Sequence, residues 1–182
     1  MKIGIVVGSI REGRKGAAVA DWVVAGTRNA EGAEFEVLDL KDFNLPLLTS
    51  ATLPAMANRN YDSDEVTHWS RAVDGCDGFI FVTAEYNFGM PGAFKNAVDS
   101  LGPEWTRKPV AFVSYGGHNG TRAVAQWRQV LANFEMYDIR TTVALSLYDD
   151  FNADGFAPGD RRAGELDALV QELIPVTAKL LS

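Results

Sequence analysis

The sequence predicts a doubly wound α/β fold: one domain over residues 1–182, with a five-stranded parallel sheet of order 2-1-3-4-5 and helices on both faces. Three observations lead there. Short apolar runs alternate with stretches of helical periodicity five times, as a parallel sheet joined by right-handed crossovers requires. The runs are apolar at consecutive rather than alternate positions, the pattern of strands buried on both faces. The most polar and glycine-rich stretches follow the first, third and fourth runs, whose carboxyl ends flank the switch point of this strand order, where open α/β sheets bind ligands.

Ile3, Ile5, Val6 and Val7 form the first strand, which ends at Gly8-Ser9. Val19, Trp22, Val23 and Gly26 fall at helical spacing between Lys15 and about Ala30. Phe35 to Leu40 is the second strand. From Lys41 to Asn60 the chain carries Pro46 and Pro54 and no clean period, so a long loop with one short turn of helix is expected, a length often tied to function. A helix starts near Asp62, with Glu65 three residues on as the partner of a capping box, and presents Val66, Trp69 and Val73 on one face. Phe79 to Thr83 is the third strand. Pro91 suits the first turn of a helix, where its missing N–H costs nothing; the stripe that follows is Phe94, Ala97, Val98 and Leu101. Val110 to Val113 is the fourth strand. Val124, Trp127, Leu131 and Phe134 mark a helix after Gly120, and Ile139 to Leu145 is the fifth strand. Residues 146–164, rich in Asp, Gly and Pro, read as irregular, and Leu166 to Leu181 as a closing helix bent at Pro175.

Composition bounds the function. With 47% hydrophobic and 23% charged residues the chain can bury an ordinary globular core. A formal net charge of −7 and a pI near 4.8 exclude nucleic acid and anionic membranes as partners, while leaving a small anion to any local basic cluster. The single cysteine, Cys76, fits a reducing compartment. Met1-Lys2-Ile3-Gly4 begins a strand rather than a targeting segment, and a cytoplasmic protein is expected.

The three switch-point loops carry the chemistry. Gly8 to Gly16 offers the Ser9 hydroxyl, the cations Arg11, Arg14 and Lys15, and a helix start whose free N–H groups suit a phosphate; the fork of Arg11 can add a two-point contact. Its spacing is neither a Walker loop nor GxGxxG, which points to a mononucleotide phosphate. Ala84 to Met90 reads AEYNFGM, a polar and aromatic exit from a buried strand. Ser114-Tyr115-Gly116-Gly117-His118-Asn119-Gly120 has three glycines, so its backbone can approach a flat ligand closely. His118 reads as a solvent-facing loop residue and His68 as structural. Two histidines and one cysteine form no metal cluster.

On these motifs the sequence resembles the NADPH-dependent FMN reductase family, the flavodoxin-like group that includes azo, quinone and chromate reductases. The likeness runs from about Lys2 to Leu145. It rests on Gly8-Ser9-Ile10-Arg11, on Glu85-Tyr86-Asn87 with Pro91 to Ala97, and on Ser114-Tyr115-Gly116-Gly117 with Arg122-Ala123. The resemblance implies bound FMN, with NADPH or NADH as donor and a small electron acceptor. It implies the phosphate at Ser9, Arg11, Arg14, Lys15 and Gly16. The isoalloxazine and ribityl fall along Ala84, Glu85, Tyr86 and Asn87, and the pyrimidine side against Ser114, Tyr115, Gly116 and Gly117. It also implies a homodimer or homotetramer. Hydride transfer is then the flavin's own chemistry: no residue is assigned as catalytic, nicotinamide and acceptor use one slot in turn, and backbone N–H groups of the second and third loops face developing negative charge.

The chain departs from the family pattern in two places. Ala84 stands where proline usually precedes Glu-Tyr-Asn, which removes one backbone constraint. Arg14 and Gly16 stand where small polar residues are common, so cations or backbone N–H groups must replace hydroxyl or amide contacts to phosphate. Phe88 and Met90 read equally as an apolar lip over the flavin or as packing between subunits. The alternative from another class is an FMN electron carrier between proteins, which the acidic balance suits and the basic first loop does not. A phospho-receiver domain shares the strand order, but it needs acids where this chain has Gly8-Ser9.

Overall fold

The computed structural model describes residues 1–182. Strands β1 (Lys2–Val7), β2 (Glu34–Asp39), β3 (Gly78–Ala84), β4 (Pro109–Gly116) and β5 (Tyr137–Ser146) form a parallel sheet of order β2-β1-β3-β4-β5, as expected. Helices α1 (Gly16–Thr27), α2 (Leu40–Phe43), α3 (Asp64–Asp74), α4 (Gly92–Asp99), α5 (Thr121–Ala132) and α6 (Arg161–Leu181) fill the connections and the end of the chain. No helix is long and apolar enough to cross a membrane.

The period of two in the strands divides the core by chemistry. Ile80, Val82 and Ala84 of β3 face one side, where they join Ile3, Ile5, Val113 and Val143 against Val19 and Val23 of α1 and Leu166, Leu169 and Leu173 of α6. Phe79 and Phe81 face the other, packing with Phe94, Trp105, Phe112 and Trp127. The rings there meet at angles: Phe94 and Trp127 centroids lie 4.6 Å apart, Phe81 and Phe94 4.7 Å. Each buried ring contributes about 2–3 kcal/mol by burial, with a smaller increment from edge-on geometry. One face is therefore largely aliphatic, with Tyr115 and Phe151 among its few buried rings, and the other is rich in aromatics; together they fix the sheet whose strand ends carry the site.

Several expectations need correction. The cap of α3 is Ser63 rather than Asp62: its Oγ accepts from Val66 N at 3.3 Å, while Glu65 accepts from the Ser63 hydroxyl at 2.6 Å, so no reciprocal box forms. Pro91 lies one residue before α4, as its cap, and its carbonyl accepts from Lys95 N at 2.9 Å. Phe134 falls beyond the end of α5. The segment 146–164 contains a small hairpin, β6 (Phe151–Asn152) and β7 (Gly155–Phe156). The last helix begins at Arg161, five residues before Leu166, and Pro175 lies inside one continuous element. The loop 41–60 holds the short α2 and a single 3-10 turn at Pro54–Met56. In β5 the register shifts opposite Ala111, and the freed N–H groups of Arg140 and Thr141 donate to the Glu172 carboxylate at 3.2 Å each.

Candidate active site

The strand ends bring the three loops together. Gly8 continues β1 by donating to Val82 O at 3.0 Å. A Cβ there would lie 2.0 Å from the buried Phe94 ring, so the close approach of α4 to the strand end requires glycine. Ser9 is buried, and its Oγ lies 2.5 Å from Tyr86 Oη, linking the first loop to the second. Arg14 makes a two-point ion pair with Asp39 at the end of β2 and donates to Ser9 O at 2.8 Å. Its charge therefore braces the loop. The hydrogen bond to Asp39 raises the guanidinium pKa further, so the group stays protonated. Arg11 is exposed and leans over the Tyr86 ring, 5.5 Å from its centroid. Lys15 precedes α1, whose amino end has neither a side-chain cap nor an acid in its first turn.

The second loop turns back at once. Tyr86 N donates to Gly89 O and Gly89 N to Tyr86 O, each at 2.9 Å, with Asn87 and Phe88 at φ +49° and +66°. Asparagine tolerates that region; phenylalanine does so at a cost. The turn is held from α5. Glu85 accepts from Arg122 N at 3.0 Å and Arg122 Nη1 at 3.3 Å; Gln126 Nε2 donates to Phe88 O at 3.1 Å, and Gln126 Oε1 accepts from Met90 N at 3.2 Å. The Arg122 guanidinium lies 3.9 Å from the Phe88 ring centroid, and Phe88 remains 59% exposed. Glu85 thus caps a helix and fastens two loops together instead of lying free in the cleft. Ala84 is the last residue of β3, opposite Tyr115, so strand pairing supplies the backbone constraint that proline would have given.

In the third loop Ser114 Oγ donates to Asn119 O at 2.7 Å and Asn119 N to Gly116 O at 3.0 Å. A Cβ on Gly116 would lie 3.1 Å from Glu85 Cβ, so this glycine lets the second and third loops touch. Tyr115 is 5% exposed, and its hydroxyl makes no hydrogen bond of good geometry, with the Ser9 hydroxyl as its polar neighbour. It aims at Gly16, where an added Cβ would come within 2.7 Å of Tyr115 Oη. Burial raises its pKa well above the usual phenol range, so the hydroxyl is neutral and able to donate. The loops enclose a cleft of about 280 Å³ lined by Arg11, Lys15, Glu85, Tyr86, Tyr115 and Gly116 among others. Leu147 of the loop after β5 also lines it, and so does Arg14.

A cavity of about 410 Å³ lies beneath loop 46–63, but no lysine or arginine lines it and Asp62 does, so it offers nothing to an anion. His118 is exposed, 5.9 Å from the Phe88 ring, and His68 rests 4.9 Å from Phe43. Sequence reasoning missed Asp39, Gln126 and Leu147. For Asp39 the available signal was its place at the end of the strand beside the first.

The family model of NADPH-dependent FMN reductases matches residues 1–150. The chain belongs to that family. An NAD(P)H-dependent FMN reductase of Schizosaccharomyces pombe is 36% identical over 149 residues, which cover 82% of this chain and 74% of that one. A 2-hydroxy-1,4-benzoquinone reductase of Burkholderia sp is 31% identical, covering 66% of this chain and 57% of its own. Among solved structures, a flavoenzyme NAD(P)H:(acceptor) oxidoreductase of Paracoccus denitrificans shares the fold, with a TM-score of 0.77 at 20% identity over 98% of this chain and 97% of that one. A member of the FMN reductase family is an oxidoreductase that uses FMN and a reduced nicotinamide, which favours the enzyme over the electron carrier.

The residues present fit FMN. An open helix start, two exposed cations and an orphaned buried hydroxyl suit a phosphate dianion. Glycine-lined backbone beside Tyr86 suits a flat ring. The one acid lining the cleft, Glu85, is already bonded to Arg122 and does not oppose the anion.

Proposed function

We propose that the cleft at the ends of β1, β3 and β4 holds FMN, its phosphate at the Ser9–Gly16 loop and its ring along Ala84–Asn87 and Ser114–Gly117, and that this reductase acts on flat aromatic acceptors such as quinones and azo compounds. The observation that carries the reading is the convergence on one cleft of the unfinished start of α1, the unpartnered Tyr115 hydroxyl and two glycine-bearing loops. FMN, when bound, supplies the hydride chemistry; the chain binds, orients and shields. Arg11 and Lys15 supply positive charge at the phosphate end. The N–H groups of Glu85 and Tyr86 are taken by Tyr115 O and Gly89 O, so those of Asn87, Phe88, Gly117 and His118, which meet no backbone carbonyl, are the ones free to face negative charge on the ring. Phe88, exposed and backed by the Arg122 guanidinium, supports the aromatic preference by offering a flat apolar lip.

Residues 1–182 act as one FMN-binding domain. In a homo-oligomer the exposed Leu47, Leu53 and Met56 on the loop after β2 are apolar side chains that a second copy would cover. A cytoplasmic location accords with a reduced nicotinamide donor and a single buried thiol.

Anaerobic mixing of the FMN-loaded protein with NADH and then NADPH tests the reading. The flavin absorbance should bleach with at least one donor and return on adding a quinone. If neither donor bleaches it, the protein is not a reductase of this kind.

A further inference from the structure

The first loop carries three cations, and the fold treats each differently. Arg14 is 14% exposed and closed into its pair with Asp39. Arg11 stands in solvent over Tyr86. Lys15 is also exposed, yet its ammonium rests 4.7 Å from the centroid of the Phe151 ring. Phe151 belongs to the β6–β7 hairpin, which lies outside the family-matched segment 1–150.

That hairpin is firmly anchored. The Asp150 carboxylate accepts from Ser146 N at 2.7 Å, from Arg162 Nε at 2.9 Å and Nη2 at 2.8 Å, and from Gly159 N at 3.4 Å. The two side chains are 3% and 5% exposed. Burial pushes the Asp150 carboxyl up, but Arg162 and the two N–H donors outweigh it and hold the pKa below the ordinary value. One buried pair therefore ties the base of the hairpin to the first turn of α6. Phe151 also packs on Phe156 at 4.9 Å and on Tyr115 at 6.3 Å, and Tyr115 is the residue whose unpartnered hydroxyl aims at Gly16.

We propose that the β6–β7 hairpin is a positioning element for the phosphate end of the cleft: Phe151 holds the Lys15 ammonium, so that Lys15, not Arg14, is the lysine or arginine of residues 14–16 that meets the FMN phosphate. The inference rests on the FMN reading above. Lysine has a flexible four-carbon stem, and an aromatic face under its ammonium keeps it near one place before the anion arrives. A preplaced cation loses less freedom on binding and so contributes more affinity. Phe151 is a positioning residue, acting through Lys15.

The test compares FMN with riboflavin, which lacks the phosphate, by quenching of flavin fluorescence on the apoprotein. Lys15→Met and Phe151→Leu should each weaken FMN binding about five- to tenfold and leave riboflavin binding unchanged. The double variant should be no weaker than Lys15→Met alone, because the ring acts through the lysine. Phe151→Tyr, which keeps the ring, should retain wild-type affinity for FMN. Should Phe151→Leu fail to fold, Lys15→Met at its exposed position carries the same comparison together with Phe151→Tyr.

Equal weakening of both flavins by Phe151→Leu would make the ring mere packing and overturn the proposal. So would additive losses in the double variant, or a loss of FMN affinity with Arg14→Met but none with Lys15→Met. Wild-type protein that binds neither flavin would instead sink the FMN reading itself, a result readily told apart from lost phosphate discrimination.

Discussion

The amino ends of α1 and α3 are finished in opposite ways. α3 is closed by the Ser63 hydroxyl and carries Asp64 and Glu65 in its first turn. α1 has no side-chain cap and no acid, and Arg11, Lys15 and the unpartnered Tyr115 hydroxyl stand around it. Every helix start leaves N–H groups without intrahelical partners and a partial positive charge. α3 answers both from its own sequence. α1 leaves both open and adds further positive charge, a cost to the protein alone that a bound phosphate removes. The contrast separates a structural helix start from a functional one.

The sharpest way to break that contrast is to fill the space at α1. Gly16→Ala puts a Cβ 2.7 Å from Tyr115 Oη, so the hydroxyl end of that buried ring must shift. Overpacking there should cost about 2 kcal/mol in urea denaturation and abolish tight FMN binding. Next comes giving α1 the chemistry of α3. Ala17→Glu places a carboxylate in the first turn; FMN affinity should fall about tenfold or more, while the apoprotein gains about 0.5 kcal/mol of stability from the helix dipole. The converse change at α3 should be smaller and touch stability alone. Ser63→Ala removes the hydroxyl that accepts from Val66 N and should cost about 1 kcal/mol, with FMN affinity unchanged by fluorescence titration. The smallest effect needs no variant. Because Arg11 and Lys15 are exposed, raising salt from low to physiological ionic strength should weaken FMN binding several-fold, and riboflavin binding little.

Much of this was legible in the sequence because consecutive apolar positions mark buried parallel strands. Runs such as Phe79 to Val82 fixed the strand count and, with it, which loops meet. The motif residues of the cleft were legible through family likeness: Arg11, Arg14, Lys15, Ala84, Glu85, Tyr86, Tyr115 and Gly116 line one cleft, whereas Ser9, Gly16, Asn87, Ser114 and Gly117 belong to the same loops without lining it. Their individual work was not legible, because it depends on partners distant in the chain. Glu85 reads as a cofactor contact from its motif, but that its carboxylate also serves the start of α5, 37 residues away, was not readable. Arg14 looked like a phosphate ligand and is taken by Asp39, 25 residues on. The start of α6 was hidden for the same reason: the burial of Arg162 is made tolerable by Asp150, 12 residues earlier, and by Glu165 one turn on. The β6–β7 hairpin has strands of two residues each, too short to carry any period.

The most direct measurement of the central claim is a crystal structure of the protein grown with FMN. The account predicts the flavin phosphate at the amino end of α1, within hydrogen-bonding reach of Tyr115 Oη and of the loop's backbone N–H groups, and the ring along Ala84–Asn87. A flavin bound instead in the cavity beneath loop 46–63, or a phosphate held away from α1 with Tyr115 still unpartnered, would contradict it.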